Sequence, residues 1–199
     1  MSEHFLIKTK IDPSQPIRLQ DVPVLERYGE LRELLARRAG DDAARLFAEP
    51  FVNWGNDVSA MTVSWYCDVA GDAKRLSSLE PAQRADAEAR LTAALGSARA
   101  LIDDPEVGKL VAGALSLSSA DDVLVVGNQP VLVNWGMLPA DTATSQAAQN
   151  DHFRQTLGRF LPLAAAPALF ATGALAQPPA ATDVADAAAS GTPAADAVL

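Results

Sequence analysis

The side chains of this 199-residue sequence best suited to chemistry are few: Cys67, two histidines, His4 and His152, and three adjacent acidic pairs, Asp41–Asp42, Asp103–Asp104 and Asp121–Asp122. A thiol nucleophile needs a base and a group to orient it. Cys67, His152 and either Asp151 or Asn150 supply those types, but no local pattern joins them. Val63, Trp65, Cys67 and Val69 alternate with Thr62, Ser64, Tyr66 and Asp68, which puts Cys67 on the face of Trp65. A cysteine there serves more often as a small buried hydrophobe than as a nucleophile. Metal sites need His, Cys, Asp or Glu clustered at ligand spacing, whereas adjacent acids at element starts more often cap and solvate. The sequence holds no phosphate-binding Gly-rich loop, no G-x-S-x-G and no H-E-x-x-H. A non-enzymatic protein without metal or cofactor is therefore expected. The alternatives are a small cytosolic enzyme using Cys67 with His152, and a soluble structural protein with a disordered tail.

Lys and Arg number 16 against 25 Asp and Glu, a formal charge of −9. Such a surface repels phosphates, so nucleic acid is excluded as a partner. With 49% of residues hydrophobic and 21% charged, a packed core is affordable. One cysteine forms no intrachain disulfide and fits a reducing compartment, and Ser2–Lys8 lacks the pattern of a secretory signal. The folded part is expected in the cytoplasm.

Composition divides the chain. Residues 1–159 mix both charges with recurring aromatics and read as one globular domain, whereas Phe160–Ala176 carries no charge and 177–199 is an Ala/Pro-rich stretch with three aspartates. Phe160–Ala176 is either a short transmembrane span or a Pro/Ala linker, since Pro162 and Pro167 interrupt it. Arg154 and Arg159 on its near side would hold the domain in the cytoplasm and place the tail outside. The tail, 177–199, has too little large apolar surface to order itself.

The elements that position the chemistry follow from periodicity. Val24, Tyr28, Leu31 and Leu35 mark a helix from Asp21, as N-cap, to Gly40, and a shorter helix runs from Asp41 to Ala48. Arg27, Arg32, Arg37, Arg38 and Arg45 lie among Glu26, Glu30 and Glu33, which predicts a solvated, ion-paired face with Glu33 beside Arg37. Residues 51–69 read as two strands around Gly55–Asn56–Asp57. Ser77 and Glu80 are spaced as a capping box before a helix to about Asp103, and Asp104–Pro105 opens another. DDVLVVGNQPVLVNWG reads as a hairpin turning at Gly127–Asn128–Gln129, and Gln146–Leu157 closes the unit as a helix. The expected order is ααββααββα. Hairpins that do not alternate singly with helices favour α+β, with antiparallel hairpins packed against helices.

The tetrapeptide V-N-W-G occurs at Val52–Gly55 and Val133–Gly136, 81 residues apart, and both Trp54 and Trp135 are expected to pack under a sheet. Coincidence and duplication of an ααββ unit both account for it. The candidate partner-binding surface is the second hairpin, at Gly127, Asn128, Gln129 and Pro130 with Trp135 and Met137. Its turn is exposed by construction, and a strand edge can accept a partner strand.

The succession R-Y-G-E-L-R-E-L-L, N-W-G, S-W-Y-C-D, E-P-A-Q-R-A-D-A-E and D-D-V-L-V-V-G-N-Q-P-V-L-V-N-W-G, over Val22 to Pro139, resembles the SrfA family of bacterial virulence-associated proteins. The chain departs from that pattern at Asn134 and in the Asn128–Gln129 turn, where the family pattern leads one to expect Asp-Gly and a lysine. The resemblance implies a scaffold subunit anchored in the inner membrane, with an Hsp70-like ATPase and a GTPase-like protein as partners. It carries over no functional residue.

Overall fold

A computed structural model of the chain describes residues 4–54, 61–142 and 145–161. Its clearest alternation becomes β5 (Met61–Cys67), in which Met61, Val63, Trp65 and Cys67 are buried while Thr62, Ser64 and Tyr66 are half-buried. β1 (His4–Ile11) and β4 (Glu49–Trp54) pair antiparallel with it on either side, giving the order β1-β5-β4. A second antiparallel sheet has the order β6-β7-β8, from Ala73–Arg75, Val123–Val126 and Gln129–Leu132. A small hairpin joins β2 (Arg18–Leu19) to β3 (Val22–Pro23). The architecture is α+β.

Each helix turns an apolar stripe inward. α1 (Tyr28–Arg38) buries Leu31, Leu34 and Leu35, and α3 (Pro81–Arg99) buries Ala87, Leu91, Ala94, Leu95 and Ala98. α2 (Asp41–Ala44), α4 (Gly108–Ala114) and α5 (Gln146–Gln155) complete the set. The sheets meet where Leu132 N–H donates to Leu46 O at 2.7 Å and Ala48 N–H to Leu132 O at 3.0 Å, a parallel bridge centred on Phe47. Trp135, fully buried there, is edge-on to Phe47 at 5.5 Å and to Trp65 at 6.1 Å. Its indole N–H donates to Ala48 O at 2.8 Å, so the largest apolar group of the core has no unmet donor.

Several local expectations change. The strand β1 precedes the first helix and adds to the expected order, as do β2, β3 and β6. Asp21 is no N-cap: it sits with Gln20 in the β2–β3 turn, both at positive φ (67° and 53°), and α1 starts at Tyr28 after a 3-10 turn. The second helix stops at Ala44, because residues 46–48 are drawn straight by the bridge to Leu132. Ser77 and Glu80 form no capping box; Glu80 leads directly into Pro81 at the first helical turn, and the Ser77 hydroxyl reaches Asp121. The capping box belongs to Ser119 and Asp122. Asp104 accepts from the backbone N–H of Glu106 and Val107, but in a turn ahead of the next helix, which starts only at Gly108 with Val107 before it and no side-chain cap, so Asp104–Pro105 does not open it. The arginines on and just before α1 are ion-paired, Arg27 to Glu30, Arg37 to Glu33, Arg32 to Asp68 and Arg38 to Asp104.

The fold continues past residue 159. Phe160 and Leu161 are 9% and 7% exposed and belong to the core, so the expected span loses its first two residues to the domain. The rest of that stretch, the tail, the Gly55–Asp57 turn and the side chain of Trp54 lie outside the described residues. No helix among the described residues is long and apolar enough to cross a membrane.

Candidate functional site

The second hairpin is held by its own apolar residues. Val123, Leu124, Val125 and Val126 are all buried, as are Val131 and Leu132, so both faces of this hairpin are covered rather than one. Only its turn reaches solvent. Gly127, at φ +59°, and Asn128 are exposed, and Gln129 is half-buried. A two-residue turn that opens with a left-handed residue selects glycine.

Three of the six expected contact residues are not available. Pro130 is buried, and Trp135 and Met137 are fully buried. The strand edge expected to accept a partner is already taken at Leu132 by residues 46–48. What remains exposed of that surface is the Gly127–Asn128 tip. It borders a groove of about 270 Å³ lined by Asp72, Lys74, Gln83, Asp86 and Arg90. Two carboxylates and two cations there leave no net charge to select an ionic ligand.

Behind the hairpin a polar chain fixes the second V-N-W-G. The Trp65 indole donates to Thr9 Oγ1 (2.9 Å), Thr9 donates to Asn134 Oδ1 (2.8 Å), and Asn134 Nδ2 donates to Asp122 Oδ1 (2.6 Å). Asp122 Oδ2 accepts from the Ser119 N–H at 2.7 Å. Burial pushes the Asp122 carboxyl above its usual range, against the bonds from Asn134 and Ser119. Asn134 adopts φ +50° and Gly136 φ +70°, so the chain turns twice to drive Trp135 inward. The tetrapeptide is thus a structural device at its second site.

Cys67 and His152 are spent separately. The Cys67 thiol donates to Val69 O at 3.2 Å, and burial raises its pKa, which disfavours the thiolate a nucleophile needs. The small cavity it touches is lined by Tyr28, Arg32, Ala44, Arg45, Phe47, Asp68 and Val69, with no histidine. His152 Nε2 instead lies 2.7 Å from Leu117 O. Among the described residues no group of three His, Cys, Asp or Glu side chains could hold a metal ion.

A different surface emerges on the first sheet. Cross-strand partners share a face, and the register pairs Phe5 with Tyr66, Lys8 with Ser64 and Lys10 with Thr62 on one side of β5, and Phe51 with Ser64 on the other. The opposite face carries Met61, Val63 and Trp65 into the core. Phe5 is 57% and Phe51 65% exposed, two of three large apolar side chains so exposed among the described residues. Phe5 lies edge-on to Tyr66 at 5.7 Å. The sequence hid this face, because in HFLIKTKI the residues Phe5 and Lys8 are three apart, a spacing that puts them on opposite sides of a regular strand. A register shift between Phe5 and Ile7 brings them to the same side. The available signal was an alternating run with one residue too many.

No protein-family model, curated protein or solved structure matches this chain.

Proposed function

We propose that the chain is a non-enzymatic protein-interaction module that docks a partner on the outer face of β1-β5-β4. The observation that carries this reading is the placement of Phe5, Tyr66 and Phe51 on one solvent-facing sheet surface. Exposed aromatics grouped on one face mark contact surfaces, because covering them removes apolar area from water and aromatic anchors carry much of the binding energy. The tied-up thiol and the separately bonded imidazole favour this over catalysis by Cys67 with His152. The likeness of short motifs to the SrfA family supplies two partners to test, an Hsp70-like ATPase and a GTPase-like protein, and the setting of a bacterial assembly.

The test compares proteins recovered with the intact chain and with the double variant Phe5→Ser/Phe51→Ser. Both side chains already face solvent, so the variant should keep its melting temperature within about 2–4 °C, the shift expected for roughly 1 kcal/mol in a chain of this size. Loss of the recovered proteins at unchanged stability is the expected outcome. Unchanged recovery contradicts the assignment of this face.

A further inference from the structure

We infer that β1 accepts an extended acidic segment of a partner protein as a fourth strand of the first sheet. This rests on the docking face proposed above and names what binds at its border. A sheet edge is a row of backbone donors and acceptors awaiting a partner, and the edges of this protein differ sharply. β8 is met by residues 46–48. β4 has six residues and carries at its second position Pro50, which lacks a donor. β6 is only three residues long. β1 has eight residues, no proline, and pairing on one side only among the described residues.

Charge selects the occupant. Lys8 and Lys10 are exposed, project on the Phe5 face, and have no ion-pair partner among the described residues. They are two of four lysines in a chain of net charge −9. Lysines along an edge repel a second copy of the same strand, since antiparallel self-pairing sets like charges side by side. They favour a strand with carboxylates at alternate positions, which meet Lys8 and Lys10 from the same face. An apolar residue further along would cover Phe5. The same face would then bind through backbone hydrogen bonds at the edge, paired charges beside it, and aromatic contact in the middle.

The experiment uses the full chain and two synthetic peptides, one alternating glutamate with valine over eight residues and one alternating lysine with valine. Binding is read by calorimetry and by hydrogen exchange of the β1 amides. The acidic peptide is expected to bind, to slow exchange along β1, and to weaken at least about tenfold against Lys8→Glu/Lys10→Glu, while the basic peptide then gains what the acidic one loses. Equal binding of both peptides, indifference to the charge reversal, or unchanged β1 exchange overturns the inference. If it fails while Phe5→Ser/Phe51→Ser still loses its partners, the docking face stands and only the strand addition is wrong. If the acidic peptide protects β1 while that double variant loses nothing, the docking face is wrong and the edge stands.

Discussion

Asn134 shows how much one side chain can decide. It accepts from Thr9, donates to Asp122 and holds a left-handed backbone two residues before a left-handed glycine. Asparagine tolerates that conformation better than other non-glycine residues because its short amide bonds locally. Asn134→Ala is expected to cost about 2–4 kcal/mol, from an Asp122 Oδ1 left without its donor, a lost bond to Thr9 and the strain of a β-carbon at positive φ. Asn134→Gly loses the same bonds without the strain, so it should melt above Asn134→Ala; equal melting of the two would show that the backbone conformation contributes nothing. The sequence displayed the tetrapeptide but not its purpose. Trp135 was legible as core from its type, whereas a chain of bonds running from residue 9 to residue 134 has no local signature. The candidate site suffered from the same limit. Pro130 and Met137 looked available because a hairpin turn was correctly seen, and nothing nearby in the sequence revealed that residues 46–48 would cover its edge.

Among the elements, strong periodicity was read well and weak periodicity was not. β5, α1, α3 and the second hairpin follow from regular alternation or helical stripes. β1 escaped because one extra residue breaks its alternation. The register places that extra residue at Leu6, between Phe5 opposite Tyr66 and Ile7 opposite Trp65. Deleting Leu6 should therefore close the irregularity and preserve every other cross-strand pair, at the cost of the packing of one half-buried side chain. Deleting Thr9 removes the hydroxyl between Trp65 and Asn134 and drives a lysine toward Val63. Thermal melts followed by circular dichroism should find the Leu6 deletion folded and lowered by roughly 2–8 °C, as expected for a loss of about 1–2 kcal/mol, and the Thr9 deletion unfolded. If both deletions melt alike, β1 does not set the register of the sheet.

Across the whole molecule, charge and burial divide the labour. The acidic surface is laced with ion pairs on α1, and the fully buried Trp65 and Trp135 join the two sheets in one core. The α+β class was visible in the order of hairpins and helices, whereas the compositional break after residue 159 does not separate Phe160 and Leu161 from the core. The outer face of the first sheet was not visible, because it is assembled from three strands, with Phe5 set beside Tyr66 from 61 residues away, and depends on their register. Its role as a docking surface is most directly tested by placing a photo-reactive benzoylphenylalanine at position 5 or 51, with position 128 in the exposed hairpin turn as control, and irradiating the protein in its native cells. Positions 5 and 51 are expected to yield adducts with the same protein while position 128 yields none. Adducts at 128 without any at 5 or 51 would contradict that role.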